Sequence, residues 1–291
     1  MPGRAKSPAG IPGWAAEDHA AAYAVWHLTA PDTASVPDAR RFFETTFDAE
    51  PRPCHCTGYY EPELSGRLTP DARFRHPLYA LPPDLPPDRP WFSRAEIAEG
   101  DLLAGRELVW LDSAIEGFLA QVQGSVRVRV DNGTVLRLGY AGKNGHPYRS
   151  IGQELIQRGE VGQNAMSADA IRDWCAAHPD QVPDLLATNP SFVFFRPLDL
   201  PETLGPIGAS GVPLTPLRSL AADPDHIAPG TPVWVECGSQ QALFIAQDTG
   251  SAIKGPGRID LFCGSGAAAG RMASGLNAQG TIHVLRPKAA R

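Results

Sequence analysis

The segment FIAQDTGSAIKGPGRIDLFCGSG, residues 244–266, decides the fold class because it contains two short apolar runs separated by glycine-rich turns. Asp248 follows the first run and precedes a Thr-Gly pair, a pattern typical of a strand that runs into a tight turn. Asp260 lies inside the second run, IDLF, which has the length and composition of a strand. The segment therefore predicts β-structure with one acid at a strand end and one within a strand.

The setting of Asp260 favours a chemical role. A carboxyl group among isoleucine, leucine and phenylalanine loses hydration of its charged form, so we expect its pKa to be raised. Such an acid can hold a proton near neutral pH and give it to a leaving group. The glycines that follow remove side chains where a polymer could approach the backbone. An aspartate in an apolar strand is also a common turn or hydrogen-bonding residue, so the pattern alone leaves both roles open.

Composition and charge exclude several classes of protein. The chain has 291 residues and a formal net charge of -6, without any basic run, so we expect no nucleic-acid partner. No apolar run is long enough to span a bilayer. The first residues contain neither an apolar secretory region nor a lipid-attachment cysteine, so the residues alone indicate a soluble chain. Glycine and proline number 29 each, which favours short strands and turns over long helices.

The cysteines allow two interpretations. There are five, an odd number, at positions 54, 56, 175, 237 and 263, so at least one is outside any intrachain disulfide. Cys54 and Cys56 flank His55 and could form part of a metal clip, but no second Cys/His pair stands at ligand spacing. Ordinary buried thiols are the alternative, and we favour it. The sequence therefore predicts no metal site and no cofactor.

Several helices can be predicted from caps and apolar spacing. Residues 18–28 and 37–47 have the pattern of core helices. Short capped helices are expected after Ser93, whose capping-box partner is a glutamate three residues on, and after Ser150. A further helix begins at Ser167.

The rest of the pattern indicates strands and turns. The clearest hairpin covers residues 126–140 around an Asp-Asn-Gly turn. Residues 115–122 alternate poorly and lead into it, and the loop 140–152 is expected to break its second strand. Residues 189–198 form a buried strand, after which the chain is expected to be mostly strands and turns. Residues 67–92 are proline-dense and indicate a surface connection.

Motifs in order along residues 11–287 carry a resemblance to a known family. Asp223 in AADP, Asp248 in QDTGSAIKG and Asp260 in RIDLF match a three-aspartate "3D" domain. The chain resembles the membrane-bound lytic murein transglycosylase A family, whose further motifs it carries as TGYYEPEL (57–64), QVQGSVR (121–127), YAGKNGHPYRSIG (140–152), NPSFVFFR (189–196) and GVPLTPLRSLA (211–221).

The resemblance implies a mainly β fold with a few short helices. It implies a double-psi β-barrel catalytic domain built from residues 1–66 and 194–291, interrupted by a second, mostly β domain over residues 67–193, with a groove between them. Composition alone suggests only a break near 76–90. The family also implies a periplasmic location at the outer membrane, with peripheral or lipid-anchored association, and peptidoglycan glycan strands as partner. We expect a monomer.

The activity implied is a carbon–oxygen lyase reaction on peptidoglycan. A lytic transglycosylase cuts the β-1,4 bond between N-acetylmuramic acid and N-acetylglucosamine without water, because the 6-hydroxyl of the muramic sugar closes onto C1 to give a 1,6-anhydro product. Since the nucleophile is tethered to the reacting carbon, one carboxyl group can serve as acid and then base. The resemblance assigns that role to Asp260. Asp248 is expected to support it and to raise its pKa, and Asp223 is expected to be structural.

Contacts to sugar and peptide are carried over by motif. The adjacent tyrosines of TGYY point to opposite faces of a strand, so one can be buried while the other stacks on a sugar. Two departures from the family pattern, Val126 and the triplet 54–56, put local groove shape in doubt. The expected contact residues are Tyr59, Tyr60, Gln123, Ser125, Lys143, Asn144, Tyr148, Ser191, Thr215, Thr249, Gly250 and Lys254.

Two other functions remain open at this point. The run Asp248–Ser251 is also an aspartic-protease signature, but that chemistry needs two such aspartates and the chain has one, so a homodimer would be required. A non-catalytic wall-binding module would use the same aromatic residues. The apolar setting of Asp260 is the feature that argues against simple binding.

Overall fold

A computed structural model describes residues 7–288 and divides the chain into two compact units. The first unit comprises the chain up to Tyr60 and again from Glu202, and the second comprises Glu61–Pro201. The predicted barrel segments 1–66 and 194–291 extend beyond the described range, so their first six and last three residues lie outside it. The predicted mainly β fold is confirmed by the sheets of both units.

The first unit is a closed six-stranded barrel with the strand order β1-β11-β8-β10-β9-β12. β10 pairs with β8 in parallel, and the other described pairings are antiparallel. The elements of this unit are α1 (His19–Thr29), α2 (Ala39–Thr46), β1 (Phe47–Glu61), β8 (Ser219–Ala222), β9 (Pro232–Cys237), β10 (Gln240–Asp248), β11 (Arg258–Ser265), α8 (Gly266–Gly275) and β12 (Asn277–Pro287).

Alternation along the barrel strands builds two cores. On β9, Val233 and Val235 pack into the main core, while Trp234 between them faces the opposite way. Trp234 packs there with Trp14 and Phe43, under helices α1 and α2. Burial of such aromatic residues contributes a large share of the stabilisation. Both helices were predicted from the sequence and are confirmed, each capped by an aspartate side chain.

The second unit contains a six-stranded sheet in the order β3-β4-β2-β5-β6-β7, with five α-helices among its described residues. The predicted hairpin is confirmed, since Val126 pairs with Leu138 across it. The elements are β2 (Glu63–Arg67), β3 (His76–Tyr79), α3 (Arg94–Glu99), β4 (Glu107–Leu111), α4 (Ala114–Gln123), β5 (Ser125–Val130), β6 (Val135–Lys143), α5 (Ile151–Gln157), α6 (Ala168–Ala177), α7 (Val182–Ala187) and β7 (Val193–Pro197).

Caps define the helices of this unit. The capping box of Ser93 and Glu96 is present, and the hydroxyl groups of Ser150 and Ser167 accept the expected backbone N–H bonds. β7 is a strand with buried phenylalanines, as predicted. These local predictions were correct because each depends on a few adjacent residues.

The structure differs from the sequence pattern, or adds to it, in three places. Residues 115–122 form helix α4, which Ser113 caps at its start and Gly124 ends in a left-handed conformation. The second hairpin strand continues through the Gly-rich loop to Lys143, because it pairs with β7 there. The region after residue 198 contains helix α8 among its strands.

No helix within residues 7–288 is both long and apolar enough to cross a membrane.

Candidate active site

Neighbouring strands β1 and β11 of the barrel carry the polar groups around Asp260. On β11, Ile259 and Leu261 pack into the main core, so Asp260 between them lies on the opposite face. On β1, Thr57 and Tyr59 share one face by the same alternation. Thr57 donates its hydroxyl proton to Oδ1 of Asp260 at 2.6 Å. Two strands that are far apart in sequence therefore assemble one carboxyl site.

Burial dominates the electrostatics of Asp260. Loss of hydration raises its pKa to about 6, and the negative charge of Asp248 adds to the rise. The hydrogen bond from Thr57 and the positive charge of Arg258 act in the opposite direction. Arg258 forms no salt bridge with Asp260; its Nη2 donates instead to the hydroxyl oxygen of Thr57 at 2.8 Å. The carboxyl group can therefore carry a proton in mildly acidic solution.

Asp248 lies at the end of β10, and both of its oxygens are engaged within the protein. Oδ2 accepts the hydroxyl proton of Tyr59 at 2.8 Å, and Oδ1 accepts the backbone N–H of Ala209 at 3.0 Å. Burial raises the pKa of Asp248, while these bonds lower it. Burial also raises the pKa of Tyr59 well above its ordinary value, with the Asp248 charge as the second cause. The Tyr59 hydroxyl is therefore kept protonated as a donor.

Asp223 holds the turn between β10 and β11. It is buried, and its Oδ2 accepts the backbone N–H of Gly255 at 2.8 Å. Its Oδ1 pairs with the exposed Nζ of Lys254 at 3.3 Å. The backbone bond from Gly255 is the main reason that the pKa of Asp223 is lowered. Its contacts are those of a charged residue that ties a turn to the barrel.

The glycines after Asp260 are required by the backbone. Gly264 and Gly266 adopt φ angles of +111° and +78°, a region that side chains disfavour. Gly264 lies near the end of β11 and Gly266 begins α8, so the passage from strand to helix uses backbone angles that glycine adopts without strain. This backbone requirement accounts for both glycines, whether or not a polymer approaches.

The predicted contact residues fall into both units. Tyr59 is buried and packs on Phe262 with ring centroids 5.4 Å apart, whereas the ring of Tyr60 is half-buried beside Gly270. The expectation that the two tyrosines face opposite ways is therefore correct. Thr249 and Lys254 are exposed on the loop after β10. The first unit also contains Thr215 and Gly250, and the second contains Gln123, Ser125, Lys143, Asn144, Tyr148 and Ser191.

Asn144 differs from the expectation. It is 1% exposed, and its amide group donates to the carbonyl oxygens of Phe92 and Pro190 and accepts the N–H of Phe192. A buried amide with these partners satisfies backbone groups of a loop, and it leaves no surface for a sugar. Asn144 is thus a structural residue here, and its prediction as a contact residue was wrong.

Buried Arg94 was not singled out from the sequence. Its guanidinium group lies between the rings of Phe118 and Phe192, within 5 Å of each centroid. It donates to the carbonyl oxygens of Asn189 and Ser191 and to the side chain of Gln121. Burial lowers its pKa to about 9. This residue joins α3 to α4 and to the segment before β7.

The Cys-His-Cys triplet does not form a metal clip. Cys54 and Cys56 are buried in the barrel core, whereas His55 lies on the other face of β1 and contacts Asn277 at 2.7 Å. Burial raises the pKa of Cys54 to about 12. Within residues 7–288, no three His, Cys, Asp or Glu side chains are grouped so that they could hold a metal ion.

Thr57 and Arg258 are the functional candidates that sequence reasoning missed. Thr57 lies within the motif TGYYEPEL, which was interpreted only through its two tyrosines. Arg258 lies two residues before Asp260, the spacing that puts two side chains on one face of a strand. This spacing could have identified Arg258 as a neighbour of Asp260 from the sequence.

Comparisons with known proteins give consistent matches. A family profile described as the MltA specific insert domain matches residues 55–196, and one described as the 3D domain matches residues 218–286. Membrane-bound lytic murein transglycosylase A of Escherichia coli K12 is 40% identical over 247 residues, which cover 79% of this chain and 65% of that protein. The chain therefore spans less than two thirds of that relative's length.

Solved structures resemble the chain over nearly its whole length. A membrane-bound lytic murein transglycosylase from Agrobacterium tumefaciens superposes with a TM-score of 0.85 at 30% identity, covering 97% of each chain. E. coli MltA with bound chitohexaose superposes with a TM-score of 0.81 at 31% identity, covering 99% of this chain and 93% of the other.

Proposed function

Because this chain belongs to the membrane-bound lytic murein transglycosylase A family, we propose that it cleaves peptidoglycan by non-hydrolytic transglycosylation with Asp260 as its acid and base. The observation that carries the proposal is the state of Asp260, an enclosed carboxyl group with a pKa of about 6 that accepts a hydrogen bond from Thr57. A general acid near the operating pH is what protonation of a glycosidic oxygen requires. The chitohexaose bound to the E. coli relative is a β-1,4-linked amino-sugar chain, the linkage proposed for this substrate.

The reaction proceeds in two proton transfers. Protonated Asp260 gives its proton to the oxygen that links N-acetylmuramic acid to N-acetylglucosamine, and the C1–O bond breaks. The resulting carboxylate then takes the proton of the muramic 6-hydroxyl as that oxygen bonds to C1. The products are a 1,6-anhydromuramoyl end and a free N-acetylglucosamine 4-hydroxyl, and Asp260 is protonated again. Tethering of the nucleophile supplies a large proximity advantage.

Asp248 acts by charge and position. Because its oxygens already accept bonds from Tyr59 and Ala209, its contribution is a fixed negative charge that favours the protonated form of Asp260. The same charge can stabilise the cationic sugar that forms as the C1–O bond breaks. Asp223, tied to Gly255, keeps the intervening turn in place.

The two units have different roles in this proposal. The discontinuous barrel unit, with its limits at Tyr60 and Glu202, carries the chemistry. The insert supplies further contacts to sugar and peptide, for which Gln123, Ser125 and Tyr148 remain candidates, together with Lys143 and Ser191. Thr215, Thr249, Gly250, Lys254 and Tyr60 are the candidates of the barrel unit.

The relatives' names describe membrane-bound proteins, and we propose the same setting for this chain. Its substrate would place it in the periplasm at the outer membrane, with peripheral or lipid-anchored attachment. We propose that it acts there as a monomer.

Mass analysis of a digest of purified peptidoglycan tests the function. We expect soluble muropeptides that end in 1,6-anhydromuramic acid. Reducing ends would indicate a hydrolase, and the absence of soluble product with retained sedimentation on sacculi would indicate a binding module. Asp260→Asn should abolish cleavage and keep binding, since the amide fills the same volume without a transferable proton. An active Asp260→Asn enzyme would contradict the role given to this residue.

The protease alternative has a structural objection. A homodimeric aspartic protease needs Asp248 to share a proton with its copy, but both oxygens of Asp248 are occupied by Tyr59 and Ala209. Incubation with a peptide library under the same conditions should yield no cleavage.

A further inference from the structure

Thr57 and Arg258 form a directional chain of hydrogen bonds that ends on one oxygen of Asp260. Nη2 of Arg258 lies 2.8 Å from the Thr57 hydroxyl oxygen, which in turn lies 2.6 Å from Oδ1 of Asp260. A guanidinium group has only donors, so the threonine oxygen must accept from it. The hydroxyl proton is then directed to Asp260. Oδ1 is thus engaged as an acceptor in the folded protein.

Arg258, the first donor in this series of hydrogen bonds, is held in place by backbone carbonyl groups. Nη1 of Arg258 donates to the carbonyl oxygen of Ile259 at 2.6 Å and lies 3.4 Å from that of His55. These carbonyls belong to β11 and β1, the two strands that carry Asp260 and Thr57. The direction of these hydrogen bonds is therefore set by the pairing of the two strands, before any substrate binds.

We propose that Thr57 and Arg258 are positioning residues that reserve Oδ1 of Asp260 for the protein, so that Oδ2 carries the proton given to the glycosidic oxygen. The inference deepens the proposed function and rests on it. It explains how one aspartate presents a defined oxygen in both proton transfers. It also explains why Arg258 does not ion-pair with Asp260, an arrangement that would hold the carboxyl group in its charged form.

The groups that face Asp260 determine how its pKa changes when the hydrogen bonds from Arg258 and Thr57 are removed. Thr57 and the charges of Arg258 and His55 lower the pKa of Asp260, whereas burial and Asp248 raise it. Three further titratable groups interact with Asp260 through their charges: Tyr59, Cys56 and Cys263. Strand β8, which pairs with β11 on its other side, has no titratable side chain, and Arg271 of α8 is exposed. Loss of Thr57 removes a lowering influence, so the pKa of Asp260 should rise.

The test compares Thr57→Val with Thr57→Ser in the full chain. Valine keeps the shape and removes the hydroxyl, while serine keeps the hydroxyl. For Thr57→Val we expect kcat to fall roughly tenfold to a hundredfold, the range of a lost hydrogen bond to a charged group, with KM for solubilised glycan strands nearly unchanged. The loss of activity at alkaline pH should move to higher pH. Thr57→Ser should restore both. A folded Thr57→Val enzyme with wild-type kcat and pH profile would overturn the inference.

Arg258→Leu provides a second route if Thr57→Val does not fold. It leaves the Thr57 hydroxyl free to rotate, so we expect a smaller fall in kcat and again a shift of the alkaline limb to higher pH. Arg52→Leu is the matched control, since Arg52 lies on β1 and pairs with Glu50, away from this chain. If Arg258→Leu and Arg52→Leu had the same kcat and the same pH dependence of activity, the inference would also be overturned. Anhydro products from the wild-type enzyme show that the proposed function holds, whichever way the variants behave.

Discussion

The hydroxyl group of Tyr59 donates a hydrogen bond to Oδ2 of Asp248 at 2.8 Å, which joins strand β1 to the end of β10 across 189 positions of sequence. Through this bond a residue of the TGYY motif fixes the carboxylate that stands beside the proposed acid. A buried phenol is well suited to this task, because it brings a donor without a charge.

Tyr59→Phe should destabilise the barrel unit by about 1–3 kcal/mol at neutral pH, the cost of leaving a buried acceptor without its donor. Urea denaturation followed by tryptophan fluorescence measures the change, since Trp14 and Trp234 are buried in this unit. Tyr140→Phe is the control. Because Tyr140 is exposed on the other unit, this variant should lower the free energy of unfolding much less. Equal losses in the two variants would show that the bond contributes little.

The rate of cleavage should fall as pH rises through about 6, the value to which burial raises the pKa of Asp260. Only the protonated acid can start the reaction, so kcat/KM follows its protonated fraction and declines on the alkaline side. Initial rates of anhydro-muropeptide release between pH 4 and pH 8 provide the measurement. A rate that increases through this interval would contradict the assignment of Asp260 as the acid.

Asp260→Asn should make the protein more stable at neutral pH. Because the folded state holds the proton more tightly than the unfolded state, the native carboxyl group lowers stability as pH rises from its ordinary pKa of 3.8 through about 6. Asparagine does not ionise and so removes this destabilisation. We therefore expect the free energy of unfolding to increase by up to about 3 kcal/mol at pH 7 and by almost nothing at pH 4. Thermal unfolding at both pH values measures the gain. Asp199→Asn, at an exposed position, is the control for the substitution itself, and a lower stability of Asp260→Asn at pH 7 would refute the argument.

The sequence predicted the parts of the site that depend on local pattern. Asp260 could be placed in a strand with a raised pKa because its apolar neighbours are adjacent in the chain. Thr57 could not be found as its partner, because the two are 203 positions apart and only the pairing of β1 with β11 brings them together. Pairing and register of distant strands are set by the whole barrel, and short motifs do not encode them.

Two of the helices that were not predicted, α4 and α8, were missed for different reasons. In α4 the apolar residues Ile115, Phe118 and Leu119 have helical spacing and a serine cap, so the signal was present in the sequence. Helix α8 is rich in glycine, which disfavours a helix, and it forms because Ala269 and Ala273 pack against the barrel core. Asn144 was expected to contact the substrate only because it lies in a family motif, whereas folding needs its amide group for buried backbone groups.

Glu61→Gln should destabilise the insert unit strongly. Glu61 is fully buried and pairs with Arg127 at 2.6 Å and Arg137 at 3.2 Å, so the variant removes the charge of the buried carboxylate that both guanidinium groups share, while Arg127 keeps the exposed Glu63 at 3.9 Å. Breaking a buried pair in this way costs about 3–5 kcal/mol, whereas the half-exposed pair on α5 contributes less than about 1 kcal/mol. Hydrogen exchange of the amides of β2, β5 and β6 measures the change within this unit. Glu154→Gln, which breaks the α5 pair, is the control. If both variants exchange alike, the charge cluster at Glu61 is not what stabilises the insert.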